Sequence, residues 1–309
     1  MKKHILELLA AIPDFVSIIY LVDDACPEGS GKYVEEHCLD KRCRVMHHER
    51  NQGVGGAMVT GFNAALESDC DIFVKMDGDG QMDPGYLESL ISPIVAKEAD
   101  YTKGNRFFDM AALSLMPLVR RIGNMGLTLL AKGASGYWNL SDPTNGYVAI
   151  HRSALELIDR SKLEKRYFFE CDILIRLNVI RATACEIPIP AVYGTESSSL
   201  SVFSSLIVFP IKLLRGFFRR VIWRYFIYDM SAVTVFLVVG SVLCFGGIGF
   251  GLYRWYEGHF NGATQTVGTV ALGLFPSIIG FQMLLQAMIL DIIEKPLRPI
   301  QTVRKLFHS

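Results

Sequence analysis

The sequence predicts an α/β domain built on a mainly parallel sheet, followed by two membrane-spanning helices. Three observations carry this. Short β-rich runs alternate with helix-like segments over residues 1–200, the pattern of a parallel sheet with crossover helices. The apolar run 72–76 stops abruptly at Asp77-Gly78-Asp79-Gly80-Gln81, putting oxygen ligands at a strand's carboxyl end, where open α/β sheets bind ligands. Residues 230–253 contain no charge, and neither do residues 260–290; each stretch exceeds the roughly 20 residues that span a bilayer core.

Taken in order, Lys2-Lys3 precede a short apolar run that Glu7 interrupts and Pro13-Asp14 ends. It lacks a small-residue cleavage site and reads as an amphipathic helix, not a signal peptide. Residues 16–22 form the first strand candidate, ending at Asp23-Asp24, and residues 44–47 a second. Asn51-Gln52-Gly53-Val54-Gly55-Gly56 then opens a helix over 57–67. Residues 72–76 make the next strand and Pro84 starts a helix to about Lys97. A serine-rich stretch, 197–205, reads as a hinge.

The expected organisation is a domain over 1–200, a basic amphipathic segment over 201–229, and a membrane hairpin with tail over 230–309. The two spans are placed at about 230–253 and 264–290. Lys212, Arg215, Arg219, Arg220 and Arg224 precede the first span, and Lys295, Arg298, Arg304 and Lys305 follow the second. The positive-inside rule therefore puts both termini and the N-terminal domain in the cytoplasm, most simply at a bacterial inner membrane. The basic segment 206–228 is expected to lie in the headgroup plane. Formal net charge is zero, so nothing points to a nucleic-acid partner. The seven cysteines form no Cys-x-x-Cys pair and read as reduced structural thiols. His47-His48 reads as a surface pair.

The chemistry rests on carboxylates and arginines. Asp23-Asp24 and Asp77, Asp79 and Gln81 follow different strands, and in a parallel sheet such ends share one edge. Carboxylate and amide oxygens suit Mg²⁺ or Mn²⁺; an acidic surface turn is the other reading of an isolated Asp-x-Asp. The glycines after Asn51 allow close backbone approach, and the helix they open favours an anion, although a tight turn explains them equally well. Arg106, Arg120 and Arg121 suit phosphate, with surface solvation as the alternative for each. Asp142-Pro143-Thr144-Asn145-Gly146 reads as a rigid turn. Glu170 and Asp172 sit beside Phe168-Phe169, where charge is unusual unless paired or functional.

The ordered set Val22-Asp23-Asp24, Asn51-x-Gly53-x-Gly55-x-Ala57, Asp77-x-Asp79-x-Gln81, Gly104-x-Arg106, Asp142-Pro143-Thr144-Asn145-Gly146 and two C-terminal spans resembles the family 2 glycosyltransferases of GT-A fold. Within them it is similar to the polyprenyl-phosphate sugar transferases, relatives of dolichol-phosphate mannose synthase. The resemblance implies transfer of a sugar from a nucleotide-diphosphate donor to a polyprenyl phosphate, with inversion and a Mg²⁺ or Mn²⁺ ion. It assigns Asp23, Asp24 and Asp77 to the nucleotide and Asp79 with Gln81 to the metal. Arg106 and Arg120 with Asn124 go to the acceptor phosphate, Arg121 being an alternative for the second arginine. Asp79, Arg106, Arg120 and Arg121 are thus the expected catalytic set. The partners implied are the nucleotide sugar, the polyprenyl phosphate and membrane lipids. Gly247-x-x-x-Gly251 would allow a homo-oligomer.

Two departures stand out. The family begins with a central strand carrying a Pro-x-Tyr-Asn-Glu-like sequence, whereas Met1 falls inside the helix expected to follow it; we read this as a truncated start that affects the donor pocket. Tyr193-Gly194-Thr195-Glu196-Ser197-Ser198-Ser199 stands where many relatives carry Arg-x-x-Gly-x-Ser. A polysaccharide synthase of the same fold would show more spans and a Gln-x-x-Arg-Trp-like element, and neither is present. A non-catalytic membrane relative is the other alternative, favoured by the missing strand.

Overall fold

A computed structural model describes residues 2–108, 118–190, 202–262 and 264–305. The chain divides into two compact units, Met1–Arg220 with Pro296–Ser309, and Val221–Lys295.

The first unit begins with α1 (Lys2–Ala10), β1 (Ile19–Asp23), α2 (Ser30–His37), β2 (Cys43–His47), α3 (Val54–Leu66) and β3 (Ile72–Lys75). A 3₁₀ turn at Pro84–Tyr86, capped by Asp83, leads into α4 (Leu87–Val95), then β4 (Tyr101–Asn105) and α5 (Leu118–Ser135). β5 (Val148–His151), α6 (Arg152–Leu157), α7 (Phe169–Val179), β6 (Ala184–Pro188) and α8 (Val202–Ile222) follow. The expected helices and strands are therefore present, with ends shifted by a few residues.

The sheet differs from the expectation of a mainly parallel one. β1 pairs with β2 in parallel; separately, four strands run in the order β3-β5-β4-β6. β4 and β6 are parallel, but β5 runs antiparallel to both β3 and β4. Period-two patterning marks a strand without fixing its direction, and β5 is entered from the turn at residues 142–146.

The two sheets share the same layers. Ile19 and Leu21 of β1 pack with Ile72 and Val74 of β3 against Ile5 and Leu9 of α1, Val34 of α2 and Leu90 of α4. On the other face Tyr20 and Phe73 pack with Phe62 of α3, Phe169 of α7 and Leu155 of α6. Alternation puts successive residues of both strands into these two layers. β1 and β3 are nevertheless unpaired with each other, and both border a cavity of about 2250 Å³.

Of the cations of α8, Arg215 is exposed, whereas Lys212, Arg219 and Arg220 are held by partners within the first unit. Lys212 pairs with Glu164 at 2.8 Å, Arg219 with the buried Asp172 at 2.5 Å, and buried Arg220 donates to the carbonyls of Ala134 and Gly133 at the end of α5. Those carbonyls have no helical partner, which makes an arginine a natural cap. The exposed side carries Arg215 together with the apolar Val208, Ile211, Leu214, Phe218 and Ile222.

The second unit holds α9 (Ala232–Asn261) and α10 (Val267–Ile293), both long and apolar enough to cross a membrane. α9 ends at a left-handed Gly262, and its last turns carry Trp255, Tyr256 and Phe260, aromatics of the kind enriched at membrane interfaces. Gly247 lies against Gly273 and Ser277, and Gly280 against Gly240 and Cys244. The two helices of the hairpin thus approach each other closely at these glycines. After the hairpin, α11 (Ile300–Lys305) rejoins the first unit, where the buried Asp100 carboxylate accepts from the amides of Ile300, Gln301 and Thr183. Burial pushes the Asp100 carboxyl up despite these three bonds.

Candidate active site

The cavity between β1 and β3 is lined by Asp23, Asp24, Asn51, Asp77, Asp79, Gln81 and Arg106 together. Residues up to eighty positions apart therefore meet at one place, as convergence of strand ends requires.

The first acidic pair turns inward. The Asp23 carboxylate accepts from the amides of Cys26 and Gly31, each at 2.7 Å, and folds the loop after β1. Asp24 accepts from the amides of Gln52 at 2.8 Å and Gly53 at 2.7 Å, and bonds the His48 ring at 2.6 Å. The anion at the start of α3 is thus Asp24 itself. Burial raises its pKa, but these bonds outweigh that and hold it below the usual carboxylate range. The glycines of this turn admit protein backbone: a Cβ on Gly53 or Gly55 would strike the chain at Glu164 and Lys165, and Gly56 donates to the Lys165 carbonyl. His48, read from sequence as a surface residue, is mostly buried and also bonds Thr60 at 2.9 Å.

The acidic run after β3 opens onto the cavity. The Asp79 carboxylate accepts from the Gln81 amide at 3.0 Å, so both residues belong to one tight turn. Among the described residues no three His, Cys, Asp or Glu side chains cluster as a closed metal site. One carboxylate and one amide still fit a hard cation that keeps waters and takes substrate phosphate oxygens. Asp77 sits one step deeper, its Oδ1 2.7 Å from the Lys75 ammonium, which in turn lies 3.5 Å from Glu170.

Arg106 lies in the same cavity wall. Its guanidinium bonds Asp142 through Nε at 2.8 Å and Nη2 at 3.0 Å. Asp142 belongs to the turn that sequence reasoning read only as rigid. Glu186 of β6 braces it, accepting from the amides of Ser141 and Asp142 and from Asn105 Nδ2 at 2.6 Å. Arg120, Arg121 and Asn124 fall on α5, but their side chains lie outside the described residues, as does the element 193–199.

Sequence reasoning missed the buried charges beneath the site. Lys75 and Lys103 occupy inward positions on β3 and β4, and Lys103 donates to the Asn145 carbonyl. Burial lowers the Lys103 pKa to about 8 and raises that of Glu170, against the pull of both lysines. For Lys75 the available signal was a lysine closing the apolar run Ile72-Phe73-Val74; Lys103, in Tyr101–Asn105, carried none.

The description "Glycosyl transferase family 2" matches residues 4–158. A UDP-N-acetylglucosamine–dolichyl-phosphate N-acetylglucosaminyltransferase of Methanococcus voltae is 34% identical over 167 residues, covering 54% of this chain and 66% of that protein. An undecaprenyl-phosphate mannosyltransferase of Micrococcus luteus is 32% identical over 185 residues, 59% of this chain and 74% of that one. The chain thus spans just under two thirds of the archaeal relative and about three quarters of the bacterial one. Glucosyl-3-phosphoglycerate synthase from Mycobacterium tuberculosis, solved with Mn²⁺, UDP and phosphoglyceric acid, shares the fold with a TM-score of 0.52 at 15% identity, covering 71% of this chain and 74% of that one. With the Asp77-x-Asp79-x-Gln81 edge, the Asp23-Asp24 loop and the family match in agreement, the chain belongs to glycosyl transferase family 2.

Proposed function

We propose that this protein transfers a sugar from a nucleotide-diphosphate donor to a polyprenyl phosphate, inverting the anomeric carbon, at the cytoplasmic face of a membrane. The observation that carries the reading is the meeting of Asp77, Asp79, Gln81 and Arg106 in one cavity, in a chain that also bears two membrane-length helices. Relatives named for dolichyl, undecaprenyl and polyprenol phosphate support the acceptor class.

An acceptor phosphate oxygen attacks C1 of the sugar, and the bond from C1 to the donor diphosphate breaks. The acceptor phosphate is already largely ionised at neutral pH, so no strong general base is required and positioning dominates. Asp79 and Gln81 would hold a Mg²⁺ or Mn²⁺ ion, which when bound neutralises the diphosphate leaving group. Asp77 and the Asp23-Asp24 loop face the nucleotide side, while Arg106 orients the acceptor phosphate, together with Arg120 or Arg121 and with Asn124. The segments before and after the hairpin both belong to the catalytic unit, which favours both flanks on one side of the membrane; their basic residues favour the cytoplasm. The apolar outer side of α8 suits contact with acyl chains better than its paired cations suit headgroups.

The test incubates membranes carrying the protein with polyprenyl phosphate, Mn²⁺ or Mg²⁺, and a panel of labelled nucleotide sugars. A lipid-linked product abolished by chelator is expected. The divided sheet favours a second reading, a non-catalytic relative. Nucleotide-sugar binding without lipid-linked product from any donor would select it.

A further inference from the structure

Lys75 is a buried cation at the wall of the cavity. It ends the edge strand β3 with 1% of its side chain exposed, on the same face as Phe73. Burying an ammonium is costly unless it is paired. Its pairing is specific: Asp77 Oδ1 at 2.7 Å and Glu170 Oε1 at 3.5 Å. Lys75 is the last residue of β3 and Asp77 lies in the turn that follows, close enough for the two side chains to meet. Glu170 approaches from the first turn of α7, across the layer.

The surrounding backbone is shaped to this contact. Gly146, leading into β5, touches the pair with no side chain; a Cβ there would strike the Lys75 ammonium and lie 2.8 Å from Asp77 Oδ2. Asp77 itself remains about one third exposed, in the wall of the cavity. A cation needed only to fill the core could be replaced by an apolar side chain of similar volume without loss. Lys75 instead spans the distance from the core to the cavity wall, and both of its partners are carboxylates.

We propose that Lys75, anchored by Glu170, is a positioning residue that fixes the rotamer of Asp77 for the nucleotide-diphosphate donor. This rests on the donor-side role proposed for Asp77. Without Lys75, Asp77 and Glu170 would repel each other across a poorly screened space, and Asp77 would swing towards water.

The test measures equilibrium binding of UDP and of GDP, each with Mn²⁺, to the full chain in detergent, so that no turnover or acceptor is needed. Lys75→Met should weaken binding of the preferred nucleotide about 10-fold or more, the usual effect of losing a supporting partner. Lys75→Arg should restore most of it. Asp77→Asn should weaken binding to a similar extent, and Lys75→Met combined with Asp77→Asn should be no worse than the weaker single variant. Wild-type affinity in a folded Lys75→Met protein, or fully additive losses in the double variant, overturns the inference. Should Lys75→Met not fold, Gly146→Ala decides: lost affinity with an unchanged melting temperature supports the inference, and unchanged affinity overturns it. A parent chain that binds neither nucleotide overturns the donor-site reading and this inference with it.

Discussion

Arg106 and Asp142 form a two-pronged ion pair in which the carboxylate is fully buried and the guanidinium remains 40% exposed towards the cavity. The turn that carries the buried partner is held by Glu186, which accepts from the amides of Ser141 and Asp142 and from Asn105 Nδ2. The arrangement fixes the plane of a partly exposed arginine in the cavity wall, a geometry suited to a phosphate.

Asp142→Asn should therefore affect acceptor use more than donor use. The asparagine keeps one hydrogen bond but cannot grip both prongs. Initial rates at varied polyprenyl phosphate should show the acceptor KM rising about 10-fold, by analogy with lost supporting partners, while the donor KM stays within about two-fold. Because Arg106 is partly solvated, the stability loss should stay near 1–3 kcal/mol, below that of a fully buried pair.

Asp79→Ala should reduce turnover by about 10²–10³, the usual effect of removing a preorganised charge-stabilising group. The residue sits in an exposed-edge turn outside the packed layers, so the melting temperature should hardly change. Titration with Mn²⁺ should show saturation shifted to higher concentration. Normal turnover at normal Mn²⁺ would remove Asp79 from the metal site.

Much of this site was legible in the sequence because strand ends and turns announce themselves locally. The runs ending at Asp23 and Asp77 gave both the strands and the edge on which they meet. What stayed hidden depends on partners distant in sequence. That Asp24 accepts from the amides of Gln52 and Gly53 shows only once the chain is folded. The glycines 53, 55 and 56 look like a phosphate cradle until the chain at Glu164 and Lys165 fills the space beside them. Lys212 and Arg219 look like headgroup anchors until Glu164 and Asp172 accept them. The antiparallel course of β5 has no period of its own to read.

Lys103 should give stability a dependence on alkaline pH. Its ammonium titrates near 10.5 in the unfolded chain and at about 8 when folded, chiefly through burial. Below pH 8 both states are charged, and the burial penalty is constant. Between 8 and 10.5 the unfolded state binds more protons, so this lysine's contribution to stability rises with pH. Buried thiols act oppositely: the thiol of Cys171 is pushed up to about 12, so it stays protonated longer in the folded state. The comparison is therefore wild type against Lys103→Met, by thermal or denaturant unfolding in detergent at several pH values. Wild type should gain a few kcal/mol on the variant across that window; parallel pH curves would mean that Lys103 titrates normally.

The hairpin gives a sharper test, because its glycines divide by position. A Cβ on Gly280 would strike the Cys244 backbone, 2.7 Å from its Cα, and one on Gly247 would lie 2.7 Å from the Gly273 carbonyl. Backbone cannot yield as a flexible side chain does, so α9 and α10 would have to separate, losing the close packing that holds apolar helices together in lipid. Gly246 and Gly249 lie on the same helix as Gly247, and a Cβ on either meets nothing within 4 Å. Gly280→Leu and Gly247→Leu should each lower the melting temperature in detergent by several degrees, consistent with overpacking losses of about 1–3 kcal/mol. Gly246→Ala and Gly249→Ala should leave it unchanged. Equal effects at all four positions would mean that the small residues serve the lipid-facing surface as much as the helix pair.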